Sequence, residues 1–116
     1  MPDPTDSVLD TTKKALGIES DYTAFDIDII MHINSVFSTL QQLGVGPTTA
    51  FHIDDKNKTW TEFFGAKPPI DAVKSYMYLR VRLLFDPPPN SFGIDSLDKQ
   101  AKELEWRMNV QAEGAV

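Results

Sequence analysis

The stretch Leu83-Leu84-Phe85-Asp86-Pro87-Pro88-Pro89-Asn90-Ser91-Phe92-Gly93-Ile94-Asp95 sets three prolines between two segments that both carry helical patterning. Consecutive prolines favour stiff polyproline II geometry at about 3 Å per residue. A loose linker would be richer in Gly, Ser and charge, and would not run straight into a patterned helix. Pro87, Pro88 and Pro89 therefore read as a rigid corner that holds the last helix away from its predecessor at a set angle.

Before the corner, Ile70, Val73, Met77, Val81 and Leu84 make one apolar face, and Ala72, Tyr76, Leu79 and Leu83 make a second. Only a narrow polar strip remains, around Asp71, Ser75, Arg82 and Asp86, which is the pattern of a central helix. Pro69 suits its first position and Asp71 its first turn. The helix must stop by Asp86, because a residue before proline disfavours helical geometry. Arg80 lies on an otherwise apolar side. Either its stem runs along the core with its head in water, or it pairs with an acid of this chain or of a neighbour.

After the corner a helix is expected over Ser96 to Val110, with Leu97, Ala101, Leu104 and Met108 on one face and Ile94 extending it one turn earlier. Asp95/Lys99, Asp98/Lys102, Lys99/Glu103 and Glu103/Arg107 are opposite charges four apart, each worth about 0.2–0.5 kcal/mol on an exposed helix. Trp106 and Val110 point away from that face. Exposed tryptophans are enriched at interface hot spots, so Trp106 and Val110 are candidate partner contacts. The competing reading folds Trp106 back onto the prolines or Phe92. Met31, on the polar side of an earlier helix, is a second candidate of the same kind.

The first half carries three capping boxes, in which a Ser or Thr side chain accepts from the third backbone N–H and an acid reaches back. Ser7–Asp10 opens a short helix ending at Leu16, with Gly17 left-handed behind it and Ile18 making a Schellman-type contact. Thr23–Asp26 opens the next, with Tyr22 and Ile27 as a hydrophobic staple. Its stripe of Phe25, Ile29, Ile30, Ile33, Val36, Phe37, Leu40 and Leu43 falls within about 140° of arc, and Gly44 ends it. Thr59–Glu62 opens one helical turn through Phe64, with Trp60, Phe63 and Phe64 covering one end of the core. Between these, Phe51 and Ile53 alternate with polar residues ahead of a charged turn.

The architecture expected is mostly α. It is a small helical bundle of about four main helices plus a short helical turn, with room for a short β-strand or hairpin around 50–58 and the proline corner before the last helix. One domain spans 1–116, with a core of about 7–110 and flexible ends at 1–6 and 111–116.

Net charge is −6 and uneven: residues 1–28 hold seven acids and two lysines, 29–68 are balanced, and 69–116 carry −1. A DNA-reading domain normally shows clustered positive charge, so sequence-specific DNA binding is disfavoured. The absence of cysteine excludes disulfides, zinc-thiolate sites and thiol catalysis, and fits a reducing cytoplasm. No apolar run reaches the about 18 residues of a membrane span, and the acidic, proline-containing start is no signal peptide.

No catalytic residue, cofactor site or metal site is assigned. There is no Gly-rich phosphate loop and no nucleophile elbow. Asp28 and His32 could flank a metal on one helix face, but no second ligand pair sits at metal spacing. His52 reads as the outward residue of a strand. Asp54-Asp55 with Asn57 lacks the glycine and distal glutamate of a calcium loop, so it reads as a charged turn. The expectation is a protein that is not an enzyme.

"LDTTKKALGI", "YTAFDIDIIMHINSVFSTLQQLGV", "AVKSYMYLRVRLLFDPP" and "LEWRMNV" together span about residues 8 to 110. In their order and lengths they resemble the small head–tail connector (adaptor) proteins of tailed bacteriophages and prophages. That resemblance implies a helical bundle assembling as a homo-oligomeric ring, usually twelve-fold, beneath the portal protein. The ring extends the DNA channel, through which DNA passes without sequence-specific binding, and is a platform for a neck, stopper or tail-completion protein. The protein would be made in the host cytoplasm and reside in the virion neck, with no membrane partner. The alternatives are a neck or tail-completion protein on the tail side of the joint, and a small helical regulatory protein.

Overall fold

In a computed structural model, which describes residues 6–65 and 71–114, the chain forms five helices. They are α1 (Val8–Ala15), α2 (Asp26–Gln42), α3 (Trp60–Phe64), α4 (Ala72–Phe85) and α5 (Ser91–Gly114). The apolar pattern of α4 places it at the centre, where it packs against α2, α5 and α1. Val73, Tyr76, Met77, Leu79 and Val81 are buried along it, while Leu84 at its end is exposed, contrary to expectation. The molecule measures 40 × 40 × 20 Å. Its thin dimension is about two helix diameters, so the bundle has two layers. Pro69, Ile70 and the outermost residues of both ends lie outside the described residues.

Local signals were followed where the groups that make them are sequence neighbours. Ser7 Oγ accepts from the Asp10 N–H (3.2 Å), and Thr59 Oγ1 accepts from the Glu62 N–H (3.1 Å). Caps of this kind contribute about 1 kcal/mol each. Both long-stripe exits close as Schellman motifs. Ile18 N–H donates to Lys13 O (2.8 Å) and Gly17 N–H to Lys14 O (3.0 Å). Val45 N–H donates to Leu40 O (2.9 Å) and Gly44 N–H to Gln41 O (3.0 Å).

The middle capping box did not form. Helix α2 begins at Asp26 rather than just after Thr23, its N-cap residue is Phe25, and no side chain caps it. The Asp26 carboxylate goes instead to Lys13 Nζ at 2.8 Å. The staple fails with it: Tyr22 and Ile27 are both exposed. The stripe itself holds at Ile29, Ile33, Val36, Phe37 and Leu40, all buried, but Phe25 is exposed and leans on Phe85, ring centroids 5.3 Å apart.

Residues 50–58 contain no strand, so the hairpin is corrected to an irregular segment. Asn34 does what a neighbouring strand would have done. Its Nδ2 donates to Ile53 O (3.0 Å) and its Oδ1 accepts from Ile53 N–H (2.7 Å). That pairing leaves Ile53 free to bury its side chain without orphaning its backbone. The one ladder-like contact among the described residues is an isolated antiparallel bridge from Ser7 to Thr59. Phe37, Phe51, Trp60 and Phe63 then close one end of the core, with neighbouring ring centroids 4.9–6.0 Å apart.

The proline corner is tighter than expected. Helix α5 starts at Ser91, five residues before Ser96, because Asn90 Oδ1 accepts from the Gly93 N–H (2.7 Å). The corner does not hold α5 off α4. The two helices fold back antiparallel and pack together, burying Ala101 and Met108. Pro88 seats on the first turn of α5, where a Cβ on Gly93 would stand 2.7 Å from Pro88 Cβ. At the other end α5 runs beyond Val110 to Gly114, and Asn109 Nδ2 caps the exit of α2 by donating to Leu43 O (3.2 Å).

Candidate functional site

The α5 face opposite Ala101 and Met108 carries Trp106, 68% exposed, and Val110, 46% exposed, one turn apart. At about 100° per residue Phe92 joins the same line from the helix start, and it is 83% exposed. Trp106 is therefore not folded onto the corner. Between the apolar ends of this line the helix keeps its charged pairs Lys102–Asp98 (2.9 Å) and Arg107–Glu103 (2.6 Å). Asp95/Lys99 and Lys99/Glu103 form no ion pair among the described residues.

Met31 is also exposed, but on α2, where Ile27 precedes it by one turn. The structure thus brings Trp106 and Val110 together and leaves Met31 on a separate element. Ile27 and Phe92 were legible as apolar residues, but their exposure was not. Ile27 sat in a staple pattern, and Phe92 lay in a segment read as corner.

Arg80 takes the intrachain alternative. Its guanidinium forms ion pairs with Glu105 and, at 3.5 Å, with Asp98, while Nε donates to Tyr76 Oη at 3.2 Å. Tyr76 Oη in turn donates to Glu105 Oε2 at 2.8 Å. Burial works against the Arg80 charge, but the hydrogen bonds to Glu105 and Tyr76 outweigh it and raise its pKa. Asp98 is held below the usual carboxylate range, chiefly by its hydrogen bond to Lys102. The cluster clamps α4 to α5 at the half-buried seam where the two apolar faces end.

Burial lifts the Tyr76 phenol above the ordinary tyrosine value; the Arg80 hydrogen bond opposes this and Glu105 reinforces it. A raised folded-state pKa means stability that is complete below the unfolded value, about 10, and is lost as pH rises through the folded one. Tyr76→Phe is therefore expected to cost about 1 kcal/mol at pH 7 and to remove part of the stability loss above pH 10. Urea midpoints of both proteins between pH 7 and 11 check this, and parallel curves would refute it.

Among the described residues no three His, Cys, Asp or Glu side chains converge as a metal site would need. His32 is half-buried, with its ring 6.4 Å from that of Phe85. His52 is exposed. Asp55 Oδ1 accepts from Asn57 N–H (2.8 Å), an Asx turn that accounts for the charged stretch. A different charged residue, Lys13, holds the most buried ionic site. It is 1% exposed; Nζ donates to Ser20 O (3.1 Å) and Tyr22 O (2.6 Å) and forms an ion pair with Asp26 Oδ1 at 2.8 Å. In sequence it is one of two adjacent lysines, Lys13 and Lys14, with nothing to set it apart. Only its place on α1, facing α2, distinguishes it.

The elements from α1 to the end of α5 coincide with a match to the family model for phage connector protein, over residues 8–115. The chain belongs to the phage connector protein family. No curated protein and no solved structure matches it. Membership points to a structural role at the phage head–tail joint, as a virion component. No helix among the described residues is long and apolar enough to cross a membrane. For a connector, the surfaces that matter are those that copies and neighbours can reach, which puts the outer face of α5 first.

Proposed function

We propose that this connector assembles as a homo-oligomeric, twelve-fold ring beneath the portal protein, extends the DNA channel, and is the platform for a neck or tail-completion protein. It does no catalysis in this role. The observation that carries the reading is the outward line of α5. A 24-residue helix keeps one face in the core and offers Trp106 and Val110 on the other. Large exposed apolar groups on a rigid helix are the usual anchors of an assembly contact. The charge balance supports a channel role as well. A net −6, with −5 of it in residues 1–28, repels phosphates, and a repelling wall lets DNA slide without adhering.

The test is to mix purified protein with DNA-filled, tailless capsids and average images of the portal vertex. New ring density under the portal is expected. Binding to isolated tails alone would place the protein on the tail side, and binding to neither would refute the reading. Trp106→Ala should keep the fold, since the side chain is mostly in solvent, yet weaken capsid joining by at least about tenfold, the scale of a hot-spot truncation. Unchanged joining would remove Trp106 from the contact.

A further inference from the structure

A groove of about 650 Å³ lies between α1, α4 and α5, with Trp60, Leu79 and Leu104 in its lining. Its lining carries two cations, Lys74 and Arg107, against one acid, Glu103, in an otherwise acidic protein. Lys74, Tyr78 and Arg82 step along α4 one turn at a time; Lys74 and Tyr78 line the groove, and Arg82 Nη1 donates to Tyr78 Oη at 2.8 Å. Arg107 enters from α5 with its partner Glu103. Neither Lys74 nor Arg82 has an ion-pair partner among the described residues.

The complement lies on the same chain, in the α1–α2 connection. Glu19, Asp21 and Asp28 are exposed acids with no ion pair among the described residues, and Tyr22 and Ile27 stand exposed beside them. This segment is built rather than loose. Buried Lys13 grips its backbone at Ser20 and Tyr22 and its end at Asp26, so it projects in a preset shape. It does not fill its own groove: no residue of Glu19–Asp28 lines it, although Glu19 and Ser20 border a neighbouring hollow that shares Thr11 and Ala15 with it.

We propose that the groove receives the acidic, aromatic segment Glu19–Asp28 of a second copy of this chain, an apolar-floored contact steered by Lys74 and Arg82. Such a contact joins two different surfaces, so it repeats head to tail and closes into a ring when the rotation per subunit allows. It rests on the connector reading for the setting in which copies meet. Opposite charges at its edge set register and on-rate, and the contact weakens with salt.

The chain has no cysteine, which makes the test clean. Asp21→Cys and Ser75→Cys, both at exposed positions, are prepared as separate proteins, mixed on portal-bearing capsids and in solution, and mildly oxidised. A disulfide between them is necessarily intermolecular. A heterodimer band is expected, and the doubly substituted protein should give a ladder. Adding Lys74→Glu and Arg82→Glu should lower the yield at least about tenfold, and Glu19→Lys with Asp28→Lys on the partner should restore it. Circular dichroism confirms that each variant is folded.

Ring density at the portal without this cross-link overturns the pairing and leaves the connector reading standing. The cross-link in solution without density at the portal keeps the pairing and removes the portal role. A short DNA duplex bound by the wild type and released by Lys74→Glu/Arg82→Glu would make the groove a nucleic-acid site and overturn the pairing.

Discussion

Asp26→Ala is expected to destabilise the protein by about 3–5 kcal/mol, because it leaves an ammonium without its counter-charge inside the fold. Lys13 is 1% exposed, and without Asp26 its partners are the Ser20 and Tyr22 carbonyls alone. Those carbonyls stabilise the charge but do not neutralise it. Lys13→Met should cost less. Methionine fills the same slot with an apolar chain, and the stranded Asp26 carboxylate, 24% exposed, can regain water. The double variant Lys13→Met/Asp26→Ala should lose far less than the sum of the two single losses, since it buries no charge. Against a total stability of about 5–15 kcal/mol, the single Asp26 change is visible as a large fall in the urea midpoint. Additive losses would mean that the pair does not act as a unit.

Gly46→Ala is the second large effect, expected at about 2–4 kcal/mol. Two costs combine there. Gly46 has φ +93°, a conformation that an L side chain rarely adopts. A Cβ on it would also lie 2.4 Å from Phe63 Cζ and 2.6 Å from Cε1. Phe63 cannot step aside, since its ring packs on Phe37, Phe51, Trp60 and Phe64. Overpacking at such a place costs about 1–3 kcal/mol on its own. By contrast Gly17→Ala and Gly44→Ala meet open space around the added carbon and should cost only the backbone strain. Thermal unfolding of the three variants orders them, and Gly46→Ala equal to the other two would refute the ring contact.

The helical character, the central place of α4, the stripe of α2 and the Schellman exits were legible because each rests on residues within a few positions of one another. A hydroxyl finds the N–H three residues on, and a glycine releases the carbonyls just behind it, with no need of the rest of the chain. Two such signals misled where a distant group made the better offer. Asp26 answers Lys13 instead of capping its own helix, and Ile53 finds its backbone partner in Asn34 instead of a hairpin.

Of the candidate site, Trp106 and Val110 were legible as a pair, since their spacing relative to Ala101 and Met108 is local arithmetic on one helix. Arg80 was legible only as a residue in need of an acid, and the direction of α5 after the corner supplied Glu105 and Asp98. Stiff prolines specify that the chain turns; they do not specify where it goes. That was decided by the apolar faces of α4 and α5, which bury more surface folded together than held apart. The sequence alone therefore determined that α1 to α4 are helices and where each of them ends, through contacts made within a turn or two. The tertiary structure alone decided the partners of Lys13, Asp26, Asn34 and Arg80, because a buried polar group answers to whatever packing brings within 3 Å or so of it, however far away in the chain.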